Sequence, residues 1–182
     1  MKFKEISTKR LKLRIVTPEV YSYVYDNYDN ATIKAFFGIK TDAEVEKERE
    51  NYNKGVTTYN RSFLHFFLLQ PDTDTVIGWC GYHTWYTDHN RAEIGYMLFD
   101  DSHKKKGYTS EVLPAVLQYG FDVMKLYRIE AMASPNNAAS IKLLDKSGFV
   151  KEGYLREHYR NKTTGVMEDS VIYSLLKSEY KL

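Results

Sequence analysis

The chain has 182 residues, enough to bury a sizeable core as one domain spanning 1–182. Hydrophobic residues at 43%, charged residues at 27% and aromatics at 15% argue against disorder and give the balance of a soluble globular protein. A formal net charge of +2 argues against binding nucleic acid through bulk charge, and a single cysteine, Cys80, excludes an intrachain disulfide. The neighbours of Cys80 are apolar or aromatic, so a small buried core residue is expected there rather than a nucleophile. No apolar run approaches the ~18 residues of a membrane span. The start, Met1-Lys2-Phe3-Lys4-Glu5, lacks the apolar region of a signal peptide, so a cytoplasmic protein is expected.

Leu11, Leu13 and Ile15 alternate with Lys12, Arg14 and Val16, the pattern of a strand with one buried face. Thr17-Pro18-Glu19 reads as a helix start, and that helix is expected to end near Asn27. Asp29 to Phe36 suggests a short second helix. Thr41-Asp42-Ala43-Glu44 fits a capping box and opens an exposed helix running past Arg49 and Tyr52. The dense apolar run Phe63–Leu69 reads as a strand, Pro71–Asp74 as a turn and Val76–Trp85 as a second strand. Within it, Gly78 and Gly81 suggest a bulge or a close backbone approach. Asp88–Arg91 turns the chain into a third strand, Ala92–Phe99, completing an antiparallel meander.

The stretch Asp101-Ser102-His103-Lys104-Lys105-Lys106-Gly107-Tyr108-Thr109 then leads into a helix, roughly Thr109 to Met124. Val112, Leu113, Val116, Leu117 and Phe121 form its apolar stripe. A strand, a basic glycine turn and a helix start together suit a phosphate. The first N–H groups of a helix lack intrahelical partners, and the macrodipole places partial positive charge there. A lysine run is equally readable as a solvated loop, and the stretch is not a Walker P-loop, which needs a second glycine and Lys-Ser/Thr after it. Arg128–Ala133 is expected to be a strand and Ala138–Lys146 a helix stopped by Gly148. Two closing strands fall near Phe149–Tyr159 and Met167–Leu176. The sum is an α+β chain with a mixed, mostly antiparallel twisted sheet of about seven strands flanked by helices.

Several pieces in this order resemble the GNAT superfamily of N-acetyltransferases, and more narrowly its RimJ/RimL branch of ribosomal-protein N-terminal acetyltransferases and their relatives. They are Thr8–Arg14, Ala92–Tyr96, Lys104–Thr109, and Asn137-Ala138-Ala139-Ser140 leading to Gly148-Phe149 and Glu152-Gly153. The resemblance covers almost the whole chain. It implies the GNAT fold, acetyl-CoA as acetyl donor, no metal, and direct attack by a primary amine, either a protein N-terminus or a small molecule. The cofactor would be held by the edge of Met97, Leu98 and Phe99, by Lys104, Lys105, Lys106, Gly107, Tyr108 and Thr109, and by Asn137. The backbone N–H placed at Leu98 would face the carbonyl oxygen of the acetyl group.

For catalysis the resemblance points to Glu93 as a base acting through water and to Ser140 as an acid for the leaving thiolate. Glu152 and Glu157 are weaker candidates for the base. Glu93 is also readable as an ordinary surface pair, Ser140 as a helix-start residue, and Asn137 as a helix cap. Two departures from the family pattern stand out. Lys104 replaces Gln or Arg and Thr109 replaces Gly or Ala; in addition Leu144 occupies the place of a tyrosine that many members use as the acid. These departures keep open a second reading, a non-catalytic acyl-CoA-binding module of the same fold. RNA binding through Lys104–Lys106 alone would be weak and salt-sensitive. Of the aromatics Tyr82, His83, Trp85 and Tyr86, some are candidates for the acceptor groove, with Tyr82 and Trp85 expected in the core. A homodimer through an exposed sheet edge is a further implication of the resemblance.

Overall fold

The computed structural model describes residues 1–55, 57–58 and 60–181. Strands β1 (Glu5–Ser7) and β2 (Lys12–Val16) precede three helices, α1 (Pro18–Asn27), α2 (Asn30–Phe37) and α3 (Asp42–Asn53). The meander β3 (Arg61–Leu69), β4 (Val76–Tyr86) and β5 (Arg91–Leu98) follows. Then come α4 (Tyr108–Asp122), β6 (Arg128–Ala133), α5 (Ala138–Lys146) and the hairpin β7 (Val150–Arg160) and β8 (Met167–Leu176). The sheet runs β1-β2-β3-β4-β5-β6-β8-β7 and is antiparallel throughout except between β5 and β6. This is the expected α+β architecture with one strand more, because β1 was not legible. Its three residues contain one apolar side chain, Ile6, too few to set a period.

Local chemistry explains the helix starts. Pro18 opens α1 with its ring in the first turn, where no N–H is needed. Asp29 accepts a bond from the Thr32 N–H at 2.8 Å and so starts α2. The capping box of α3 is formed, with the Glu44 N–H on the Thr41 hydroxyl and the Thr41 N–H on the Glu44 carboxylate. Only Val45 of α3 is buried, as its charged sequence implies.

The two faces of the sheet carry two cores. Directly opposed residues of neighbouring strands share a face. Leu64, Phe66 and Leu68 of β3 lie with Cys80 and Tyr82 of β4 and with Ile94 of β5, under Val112, Val116 and Phe121 of α4. The other core takes Phe67 and Leu69 of β3 and Val76 of β4 beneath α1, α2 and α3. Its strand residues come from β2, β3 and β4, so that face of β5–β8 lies beyond the helical cover. No helix among the described residues is long and apolar enough to cross a membrane.

Two polar devices hold this frame. Tyr82 is fully buried and donates its hydroxyl to the Val116 carbonyl at 2.8 Å, tying β4 to the middle of α4. Arg128 binds Glu130 on its own strand and Glu152 on β7, and Glu152 also accepts from Ser174 of β8 at 2.7 Å. Arg128 and then Ser174 hold the Glu152 carboxyl down at about 2.

Tyr82→Phe leaves the Val116 carbonyl without this donor and should cost about 1–2 kcal/mol in urea unfolding. The Glu152 contribution to stability is present above the ordinary glutamate range and is lost as pH falls through about 2. Since Glu152 is 40% exposed, Glu152→Gln should cost at most about 1 kcal/mol at neutral pH. The difference from the native chain should vanish at pH values near 2.

Candidate active site

The site begins where two parallel strands part. β5 and β6 pair at Arg91–Arg128, Ala92–Ile129 and Glu93–Glu130. Beyond Glu93 the described pairings of β5 are with β4 only, while β6 stays with β8. A cleft therefore opens between Ile94–Leu98 and the end of β6. The Phe99 N–H bonds the Ile77 carbonyl at 3.0 Å, and antiparallel alternation assigns Met97 to β4 in the same way. The intervening residues, Tyr96 and Leu98, present their N–H and C=O groups to the cleft. Of Met97, Leu98 and Phe99, then, it is the Leu98 backbone that faces the opening. The Phe99 N–H is spent on β4, and the Met97 side chain is exposed.

In sequence the free edge of β5 leads through residues 99–107 to the start of α4. Gly107 is the cap residue with φ of 77°, a left-handed conformation that favours glycine. The first helical bond runs from the Glu111 N–H to the Gly107 carbonyl. The N–H groups of Tyr108, Thr109 and Ser110 precede it and face out of the helix end. A Cβ on Gly107 would project toward Arg10, whose guanidinium lies 3.7 Å from that point. Arg10 is clamped there. It donates to Glu111 at 2.5 Å and to the Lys106 carbonyl at 3.0 Å, and it stacks 4.7 Å over the Tyr108 ring. Lys104, Lys105 and Lys106 are exposed around this turn, Lys104 paired to Asp101 at 2.5 Å and Lys105 held at φ of 61°. N–H groups at a helix start, beside an arginine and a residue without a side chain, are an arrangement that suits an anion.

Glu93 and Ser140 sit on opposite faces of the cleft. Glu93 shares a face with Gly95 and with His83 of β4, its cross-strand partner, whose Nε2 lies 3.8 Å from the Glu93 carboxylate. Burial first, and then Glu130 alongside, raise the Glu93 carboxyl above its ordinary range, with His158 pulling the other way. Ser140, half-buried in the first turn of α5, comes up on the other face near the Tyr96 phenol. Burial raises the Tyr96 hydroxyl, and its contact with Ser140 opposes that shift. Tyr96 thus keeps its proton at neutral pH and stands at the cleft, a role the sequence did not disclose.

The remaining candidates sort by their partners. Glu152 is engaged by Arg128 and Ser174, so its carboxylate is a poor base. Glu157 lies in a bulge of β7, its N–H on Asp169. The Asn137 side-chain oxygen caps α5 by accepting from the Ser140 N–H at 3.1 Å, the alternative its position had allowed. Leu144 is buried in the main core, so no proton donor acts from that position. Tyr82 and Cys80 are core residues, and burial pushes the Cys80 thiol up. Trp85 packs partly buried against the same core. Tyr86 is flanked by Arg61 and Arg91, at 4.8 and 4.2 Å from its ring. On the Glu93 face a groove of about 350 Å³ is lined by Tyr21, Phe63, His65, His83 and Thr84 among others. Burial lowers the His65 imidazole to about 4, so at neutral pH it adds no charge to this groove.

Residues 10–150 match the family model described as an acetyltransferase (GNAT) domain. An uncharacterized N-acetyltransferase, p20, of Bacillus licheniformis is 34% identical over 95% of this chain and 96% of its own. The ribosomal-protein-serine acetyltransferase of Escherichia coli (strain K12) is more distant, 27% identical over 62% of each chain. A spermidine N-acetyltransferase from Vibrio cholerae has the same fold, with a TM-score of 0.69 at 22% identity over 94% of this chain and 96% of that one. The chain is therefore a member of the GNAT family, an acetyl-CoA-dependent acetyltransferase.

Proposed function

We propose that the protein acetylates a primary amine in a ternary complex, with the acceptor entering on the Glu93 face of the β5–β6 cleft. The observation that carries this reading is the loss of pairing after Glu93–Glu130, with Glu93 at the point of parting and Leu98 further along the freed edge. When bound, acetyl-CoA supplies the acetyl group as a thioester. The Tyr108–Ser110 amides and Arg10 hold its phosphates. The Leu98 N–H donates to the carbonyl oxygen as negative charge gathers there. Glu93 takes the proton of the acceptor ammonium through water. Tyr96 and Ser140, on the opposite face, hold a proton for the departing sulfur.

The acceptor class follows from the neighbouring charges. Glu130 is tied to Arg91 and Arg128, and Glu152 to Arg128. Among the described residues this leaves Glu93 as the carboxylate of the group without an arginine partner. A local anionic point at Glu93 suits a single amine, such as a peptide N-terminus, better than a polyamine needing an acidic strip. A RimJ/RimL-type acceptor agrees with this, and the opening segment Thr8–Arg14 supports the same branch.

Three assays test the proposal. Gly107→Asp should weaken acetyl-CoA binding in calorimetry roughly 100-fold, because a carboxylate enters the phosphate cradle and an L-residue is strained at that φ. Binding within a few-fold of the native chain would remove the cradle from the proposal. Thiol release measured with a serine-starting hexapeptide, spermidine and glucosamine should favour the peptide, and preference for spermidine would overturn the acceptor assignment. With the best acceptor, Glu93→Gln should lower kcat roughly 100-fold while leaving acetyl-CoA affinity unchanged. The raised Glu93 carboxyl sets the sign of the pH dependence. Catalysis needs its anion, so activity should fall with acidification at a higher pH than an ordinary glutamate would allow.

A further inference from the structure

β4 contains a backbone feature that the fold alone does not require. Thr84 has φ of 48°, left-handed and costly for a β-branched residue. It sits in the register shift between His83 and Tyr86. There its Oγ1 lies 3.2 Å from Nδ1 of the adjacent His83. The other ring nitrogen of His83, Nε2, lies 3.8 Å from the Glu93 carboxylate across the strand pair. Room for the ring comes from Gly95, where a Cβ would stand 3.0 Å from Nε2. The same Cβ would stand 2.9 Å from the Trp79 ring, so a side chain at position 95 would crowd both rings.

We propose that Thr84, His83 and Glu93 form one hydrogen-bonded chain that aims the base. The Thr84 hydroxyl donates to Nδ1, which fixes the tautomer with its proton on Nε2. That N–H donates to one carboxylate oxygen of Glu93, a small rotation of the carboxylate closing the remaining distance. The second oxygen is thereby turned to the cleft. His83 is a positioning residue in this scheme and makes no contact with the reacting atoms. The inference rests on the reading of Glu93 as the base.

The surrounding groups agree with a neutral donor at this place. Burial holds the His83 imidazole below its ordinary range, so it is uncharged at neutral pH. Glu93 is pushed the other way by burial and by Glu130, so a donor is needed to keep it ionised in the working range. The groups facing the pair are Glu130 from β6, His158 from β7, and His65 from β3, with Arg61 and Tyr21 along the same groove. Protonation of His83 in acid would convert the neutral donor into a cation beside Glu93. Its anion would be stabilised and its basicity lost.

The experiment compares His83→Ala, His83→Gln, Thr84→Ala and Glu93→Gln using acetyl-CoA and the serine-starting hexapeptide. His83→Ala should lower kcat on the order of 10-fold with acetyl-CoA affinity unchanged. His83→Gln keeps a donor at the same reach and should recover to within about 3-fold of the native rate, with an acid limb that no longer contains the histidine titration. If Glu93→Gln is inactive while His83→Ala stays within about 2-fold of native, the positioning chain is wrong and the base stands. If both variants keep native activity, the base itself is misassigned. A second readout is independent of any acceptor and of variant folding at position 83. In ¹⁵N-histidine spectra of the native protein at neutral pH, His83 should carry its proton on Nε2, and Thr84→Ala should mix the tautomers. A native His83 protonated on Nδ1 instead would overturn the proposal.

Discussion

The structure depends on one interruption of hydrogen bonding. A parallel pair of strands normally continues along its length, yet β5 and β6 separate after Glu93–Glu130. An unpaired row of backbone groups inside a sheet is costly unless something else meets them. Here the row is short, and β6 keeps its pairing with β8 beyond Glu130. The parting frees the Leu98 backbone, and the register with β4 sets the Glu93 carboxylate beside His83. Polar ties secure the elements on either side of this gap. Helix α4 is tied to β4 through Tyr82 on one side of the gap. On the other side Arg128 binds β6 to the β7–β8 hairpin.

The helix start at Gly107 has a comparable economy. Its lysines draw attention in the sequence, but Lys104 is neutralised by Asp101. The geometry is set by Arg10, which joins the N-terminal segment to α4 through Glu111, Lys106 and Tyr108. Arg10 thus shapes the loop and places a guanidinium beside the helix amides. A single residue can do both because guanidinium has five donors in a fixed fork and uses its face for stacking.

Most of the architecture was legible because local signals agree with the global fold. Thr41 and Glu44 cap a helix within four residues, and Val112 to Phe121 mark the buried stripe of α4. Gly107 was legible for the same reason, since a helix start is a local event. The site beyond it was less so. Arg10 and Glu111 are 101 residues apart, and no periodicity announces such a pair. Tyr96 shares a face with Ile94 and Leu98, so by pattern it reads as core. Only the absence of β6 beside it turns that position toward a cleft. His83 was grouped with neighbouring aromatics because its pairing with Glu93 depends on the β4–β5 register. Glu152 reads as a candidate base in the sequence, but Arg128, 24 residues away, occupies its carboxylate. Strand β1 escaped notice because three residues cannot display alternation.

The central claim is that the cofactor replaces the missing pairing along β5 with its phosphates on the start of α4. The most direct measurement is a titration of ¹⁵N-labelled protein with acetyl-CoA, following backbone amides. The largest shifts should fall at Tyr96 and Leu98 in the cleft and at Tyr108, Thr109 and Ser110 at the helix start. Shifts confined to the β7–β8 hairpin or to the β1–β3 edge, with those five amides unmoved, would contradict the account.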